Sequence, residues 1–140
     1  MIADLYNMSL LFDKCNLLYF GEELLPPQFG LLHSYRTLGY FHYNKGGWFD
    51  KNVYDPIISI TDYYDFTPKQ FENIMVHEMI HYYLAYTGDD RQCRHGKSFM
   101  RMAEKLNKAH HLNIAKTTDV SKYKLSEGTS YLLYWLCTLI

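Results

Sequence analysis

The sequence predicts an α+β domain, and three observations carry that prediction. An apolar three-to-four spacing opens the chain, short aromatic and β-branched runs broken by glycine follow it, and two further helical patterns occupy residues 67 to about 108. The first element rests on Leu5, Met8, Phe12, Cys15 and Tyr19, which share one helix face. Gly21 and Pro26-Pro27 stop this helix, and it is expected to pack beside the next one. Gln28 to Tyr43, interrupted only by Gly30 and Gly39, reads as two strands with a turn near Ser34 to Thr37. Asn44-Lys45-Gly46-Gly47 then reads as a flexible loop, and Val53 to Ile60 as a further strand of a small antiparallel sheet. After Thr61 to Phe66, Thr67-Pro68-Lys69-Gln70 forms a capping box with proline at the first helical position, and Gly88 ends the helix it opens. Phe71, Ile74, Met75, Ile80 and Leu84 give that helix a broad buried surface. The last helical pattern begins at His95 and runs to about Lys108, with Phe99, Met102, Ala103 and Leu106 as its buried stripe. Beyond it, Tyr123 to Leu125, a turn at Ser126 to Thr129 and Ser130 to Ile140 read as a strand extension covering about residues 111–140. The apolar end of that extension is expected to pair within the domain, with another chain or with further sequence.

Composition bounds what this fold can be. At 140 residues and 48% hydrophobic content the chain can bury one core, which predicts a single domain over residues 1–140. Met1-Ile2-Ala3-Asp4 lacks the basic start and apolar run of a signal peptide, and the ten-residue run from Tyr131 is too short to span a bilayer. A cytoplasmic protein with no membrane partner is therefore expected. Cys15, Cys93 and Cys137 are odd in number, widely separated and form no CxxC, which argues against a disulfide framework and a cysteine-based zinc site.

Within this frame His77-Glu78-Met79-Ile80-His81 specifies chemistry. Residues four apart share a helix face, so two imidazoles can grip one metal ion while Glu78 stands beside it as a general base. The capping box and the glycine stop place the pattern mid-helix, where chance occurrence is the poorer explanation. A catalytic zinc site normally takes three protein ligands and keeps a fourth position for water. Thr87 rules out a third histidine on the same helix, leaving Asp89, Asp90, His95 and Glu104. On a helical wheel His95 projects to within about 40° of Phe99 and Glu104 lies about 140° away, so His95 is the best-placed candidate and Asp89 and Asp90 are assigned to the turn after Gly88. The chemistry that follows is zinc-assisted peptide hydrolysis, with Glu78 handling the proton.

Three ordered segments resemble the SprT-like zinc metalloproteases, whose Spartan members degrade proteins crosslinked to DNA. They are Thr37-Leu38-Gly39-Tyr40-Phe41, the His77 to His81 pattern, and His95-Gly96-Lys97-Ser98-Phe99, within a likeness spanning about residues 3 to 110. The resemblance implies a zincin-like α+β domain, one Zn2+ held by His77, His81 and His95, Glu78 as catalytic base and a protein substrate. The cysteine-rich zinc ribbon on which many of these proteins end has no counterpart in this chain.

Charge distribution bears on a nucleic-acid partner. Residues 1–90 hold 5 Lys+Arg and 12 Asp+Glu, for a net −7, whereas residues 91–140 hold 9 and 3, for a net +6. Lys97, Arg101, Lys105 and Lys108 fall within about 80° of one another on the last helix, opposite Phe99. Such a ridge is a candidate phosphate contact, while a plain solvated helix face explains it equally well. Tyr82, Tyr83 and Tyr86 lie near the ligands in sequence, Tyr40 and His42 are candidates for a cleft edge, and His110 and His111 are expected on the surface. Two other readings remain at this stage: a zinc-containing DNA- or protein-binding module without turnover, against which Glu78 argues, and a processing protease that needs no DNA.

Overall fold

The computed structural model describes residues 1–128 and has an α+β architecture. Helix α1 (Leu5–Tyr19) starts at an Asp4 capping box closed by Asn7, and its Met8, Phe12 and Cys15 enter the core. Leu5 does not follow them; at 52% exposure it faces solvent, one turn ahead of the buried stripe. The chain turns at Gly21 and Glu22, both at positive φ, while the buried Asn16 side chain donates to the Leu24 carbonyl (2.8 Å) and accepts from its N–H (3.3 Å).

Strands β1 (Gln28–Leu32), β2 (Gly39–Lys45) and β3 (Val53–Thr61) form a sheet in the order β1-β3-β2. β2 pairs antiparallel with β3, as expected, but β1 runs parallel to it, so the sheet is mixed and the Ser34–Thr37 connection is not a hairpin. Apolar content and polar satisfaction both favour this outcome. Ile57-Ile58-Ser59-Ile60 is the most apolar strand segment, and the central position buries Ile58 and Ile60 completely. At the end of β3, Thr61 occupies the gap between β1 and β2. Its hydroxyl donates to the Ser34 carbonyl (2.7 Å) and accepts from the Ser34 N–H (3.0 Å), and its own N–H donates to Leu38 (2.9 Å). Asp55 at φ 49° and Pro56 form an irregularity within β3 where the register against β2 shifts, which spares the ladder the N–H that proline lacks. Asn44 and Lys45 belong to β2 rather than to the loop expected there.

Helix α2 (Pro68–Thr87) has the anticipated ends: Thr67 and Gln70 cap each other, and Gly88 adopts φ 86°. Phe71, Met75, Val76, Met79, Ile80 and Ala85 are essentially inaccessible, because α2 packs against the sheet, α1 and α3 (Lys97–His110). Phe12 stacks on Tyr82, and Lys14 meets Glu72 at 3.7 Å across the α1–α2 contact. Truncating a ring buried like Phe12 costs about 3–5 kcal/mol, a large part of what holds such a domain together. The short strands β4 (Tyr64–Asp65) and β5 (Lys124–Leu125) pair antiparallel, consistent with the strand expected at Tyr123–Leu125. The second apolar strand expected from Ser130 to Ile140 lies outside the described residues. Among the described residues no helix is long and apolar enough to cross a membrane.

Candidate metal centre

One helical turn separates His77 from His81 on α2, and the chain returns His95 to the same point. The Nε2 atoms of His77 and His95 lie 3.0 Å apart, and those of His81 and His95 3.1 Å. The ligand atoms of the three residues all fall within 4.8 Å of one another. A tetrahedral ion with metal–nitrogen bonds of ~2.05 Å sets its ligands about 3.3 Å apart, close to these spacings. Three neutral imidazoles that turn lone pairs on one point repel unless a cation sits there, so the donor set fits a divalent ion.

His95 reaches this point from a loop, not from a helix. It precedes Gly96, the N-cap of α3, and the loop that carries it is shaped by Asp90, which is only 6% exposed. The Asp90 carboxylate accepts the N–H of Gln92 (3.1 Å) and of Arg94 (2.8 Å), and Arg94 Nε approaches it at 3.5 Å. Asp90 is thus a turn residue, as its position after Gly88 suggested, and a buried organiser of the loop that carries the third imidazole, which its sequence position does not reveal. Glu104 is exposed on the far face of α3. Phe99, fully buried, supplies the floor: its ring centroid lies 4.7, 4.8 and 4.9 Å from those of His77, His81 and His95.

The segment after α3 completes the surroundings. The Asn107 side chain donates to the Ile114 carbonyl (2.9 Å) and accepts from its N–H (2.7 Å), while the Asn113 N–H donates to Asn73 of α2 (3.0 Å). Clamped in this way, the chain brings the Ala115 carbonyl to the His77 ring, whose remaining N–H donates to it. Such an outer contact fixes the tautomer that turns Nε2 toward the centre. Burial, and then the neighbouring imidazoles, lowers His77 to about 3; burial lowers His81 to about 4; burial followed by the Lys116 charge lowers His95. All three rings are neutral donors at neutral pH. Among the described residues His81 Nδ1 is buried without a hydrogen-bond partner.

Glu78 stands beside the imidazoles, 6% exposed, and burial raises its carboxyl to about 8 against the opposing effect of the Phe41 backbone N–H, which donates to it. A divalent cation in the neighbouring site would favour the carboxylate and draw that value down. Gly39 is placed tightly against this group: a Cβ there would fall 2.8 Å from Glu78 Oε1 and 3.0 Å from its Cγ. Nothing in the sequence alone ties Gly39 or Phe41 to Glu78, since the contact forms only when β2 lies along α2.

The remaining candidates are dispersed. Lys97, Arg101, Lys105 and Lys108 are all exposed on α3, beginning two residues beyond His95. Tyr82 turns away from the imidazoles, stacking on Phe12 and Phe41 and donating its hydroxyl to the Leu25 carbonyl at 2.8 Å. Tyr83 packs on Phe20, and Tyr86 is 52% exposed. Tyr40 and His42 stack on each other with centroids 6.2 Å apart on the exposed face of β2. His110 and His111 are exposed, the former against the Tyr19 ring.

A sequence model of the SprT-like family matches residues 8–119, a span that contains all but the first three residues of α1, the β1-β3-β2 sheet, α2, α3 and every residue of the centre. No curated protein matches the sequence.

Proposed function

Because the chain belongs to the SprT-like family, we propose that it is a zinc-dependent metallopeptidase of zincin-like arrangement, with His77, His81 and His95 as ligands and Glu78 as general base. The convergence of the three imidazoles within 4.8 Å, with a buried carboxylate on the adjoining residue, is the observation that carries this reading. A zinc ion bound there supplies Lewis-acid polarisation of the scissile carbonyl and of the attacking water. The protein supplies the rest. Ala115 and Phe99 orient the imidazoles, and the Phe41 N–H and the close approach of Gly39 fix where the Glu78 carboxylate lies. Glu78 takes the proton of the attacking water and returns it to the leaving amine, so its protonation state is restored each turnover. Zinc suits an all-imidazole set better than magnesium or calcium, which prefer oxygen ligands.

Glu78→Gln separates chemistry from folding. The variant is expected to keep zinc and thermal stability while peptidase activity on an unfolded protein falls by roughly 10²–10⁴-fold. Activity equal to the parent's would remove Glu78 from the mechanism.

The exposed cations of α3 favour a second layer to this reading, in which the substrates are DNA-associated or DNA-crosslinked proteins. Lys97, Arg101, Lys105 and Lys108 form one basic face that starts beside His95, so a nucleic acid held there would present its bound proteins to the centre. Stimulation of cleavage by single-stranded DNA is the test; equal rates with and without DNA point to a processing protease that acts independently of it.

A further inference from the structure

Two aromatic side chains stand almost wholly in water at one loop tip: Trp48 is 93% exposed and Phe49 90%. The loop beneath them is braced. The Asp50 N–H donates to the Gly47 carbonyl (2.9 Å), and the Asp50 carboxylate accepts the Asn52 N–H (3.0 Å) and the Tyr54 hydroxyl. A Cβ at Gly46 would fall 2.5 Å from the Asp50 carboxylate, so only glycine lets the loop close this tightly. Arg91, from the loop that carries His95, donates to the Asp50 and Asn52 carbonyls at 3.4 and 3.5 Å, and the Tyr43 hydroxyl of β2 donates to the Arg91 carbonyl at 2.6 Å. Two large apolar side chains held in solvent by a bonded frame are unfavourable for the isolated molecule and mark a contact surface.

Position and charge indicate what the tip contacts. The Arg91 bonds and the Tyr43 hydroxyl tie the base of the tip to the loop that carries His95, so the tip stands on the same side of the sheet's end as that loop. Lys45 and Lys51 are exposed on either side of the tip in the chain, whereas the nearby Asp50 carboxylate is engaged by Tyr54 and Asn52 and the Asp55 carboxylate by Asn44. We propose that Trp48 and Phe49 form a docking point for an extended, unfolded segment of the substrate polypeptide, one with apolar side chains flanked by acidic residues. This rests on the peptidase reading of the metal centre. The aromatic pair provides rigid apolar anchors and the cations complement the acidic flanks. A polypeptide is favoured over another polyanion because β2, which leads from Glu78 to the tip, is an edge strand of the sheet, and a strand edge pairs with extended backbone.

Trp48 reports on its own contact. The chain has two tryptophans, so Trp135→Phe leaves Trp48 as the only one. In zinc-loaded Trp135→Phe/Glu78→Gln protein, titration with a tryptophan-free 20-residue peptide of leucine, phenylalanine and glutamate is expected to shift Trp48 emission to the blue and saturate. Phe49→Ala should weaken that binding about tenfold, as should replacing the peptide's glutamates by lysines. Independently, Phe49→Ala in the active protein should raise KM for the same peptide, carried as a quenched fluorescent substrate, about tenfold, with the loss falling on KM and not on kcat. An emission that does not move with the peptide overturns the proposal, as does one that moves only with oligothymidylate or with phosphatidylserine vesicles. Binding does not require turnover: a saturating shift together with an inactive parent retains the docking point and removes the peptidase reading.

Discussion

Gly39→Ala is the smallest change that tests whether the location of the Glu78 carboxylate matters to catalysis. The added Cβ would lie 2.8 Å from Glu78 Oε1, 3.0 Å from Glu78 Cγ and 3.1 Å from Ile74 Cγ2. Ordinary contact starts at about 3.4 Å, so Oε1 must retreat by about 0.6 Å. Ile74 is buried on α2 and held by its neighbours, which leaves the end of the Glu78 side chain as the group that yields. A displacement near 1 Å at a reacting group costs about 10²-fold, and a general base contributes roughly 10²–10⁴-fold in all. We therefore predict a fall in kcat of about 10- to 100-fold with zinc fully retained. Overpacking of about 1–3 kcal/mol, partly offset by the gain of about 0.5–1 kcal/mol when a strand glycine becomes alanine, should lower Tm only modestly. The assay is kcat on an unfolded protein substrate with zinc measured in the same sample, repeated in the Glu78→Gln background. Acting through Glu78, Gly39→Ala should have little further effect there. An unchanged kcat, or the same loss in both backgrounds, refutes the reasoning.

Three further outcomes are expected. Protein purified without chelator should carry about one zinc per chain; His95→Ala should weaken zinc affinity by orders of magnitude and Asp90→Ala by about 10- to 100-fold, while Glu104→Ala leaves it unchanged in a chelator competition. The melting temperature of chelator-treated protein should peak near pH 6.5. Below that pH the unfolded chain takes up protons on His77 and His81, whose folded values are depressed to about 3 and 4, and their contribution to stability is lost. Above it, up to about pH 8, the folded chain holds the extra proton, on the raised Glu78, and stability falls as pH increases; between pH 6.5 and 4.5 His77 and His81 set against Glu78 leave the unfolded chain one proton ahead, at about 1.4 kcal/mol per pH unit, and the lowered His95 adds to this in the same direction. A melting temperature that climbs steadily to pH 8 would contradict these assignments. Finally, if the α3 cations bind phosphates, replacing Lys97 and Arg101 by glutamine should reduce the log–log salt slope of DNA binding by about one to two units without changing zinc content; equal slopes would leave the ridge as a solvated face.

The parts of this protein that were legible in its sequence are those set by contacts a few residues long. The helical repeat alone puts His77 and His81 on one face, and Thr67, Gln70 and Gly88 mark the ends of α2 through bonds made within a turn. Periodicity likewise anticipated the buried Phe99, Ala103 and Leu106 of α3. It misplaced Leu5, because a stripe of spaced apolar residues does not say where along its length the neighbouring layer ends. A helical wheel makes His95 the best-placed candidate for a third ligand, yet it stands before the helix and is carried by an Asp90-centred loop. The two descriptions agree in direction because a residue just ahead of an N-cap still emerges beside the first turn.

The tertiary structure alone decided what joins distant segments. Whether β1 lies parallel or antiparallel to its neighbour depends on which strand takes the central place, a competition among all three that involved Thr61 some 27 residues from Ser34. The Phe41 N–H on Glu78, the tight approach of Gly39 and the Ala115 carbonyl on His77 arise in the same way, from backbone groups that every residue carries and that sequence cannot distinguish. Side-chain identity names the candidate metal donors and the candidate base, whereas the packing of β2 and of the segment after α3 against α2 determines how each is oriented.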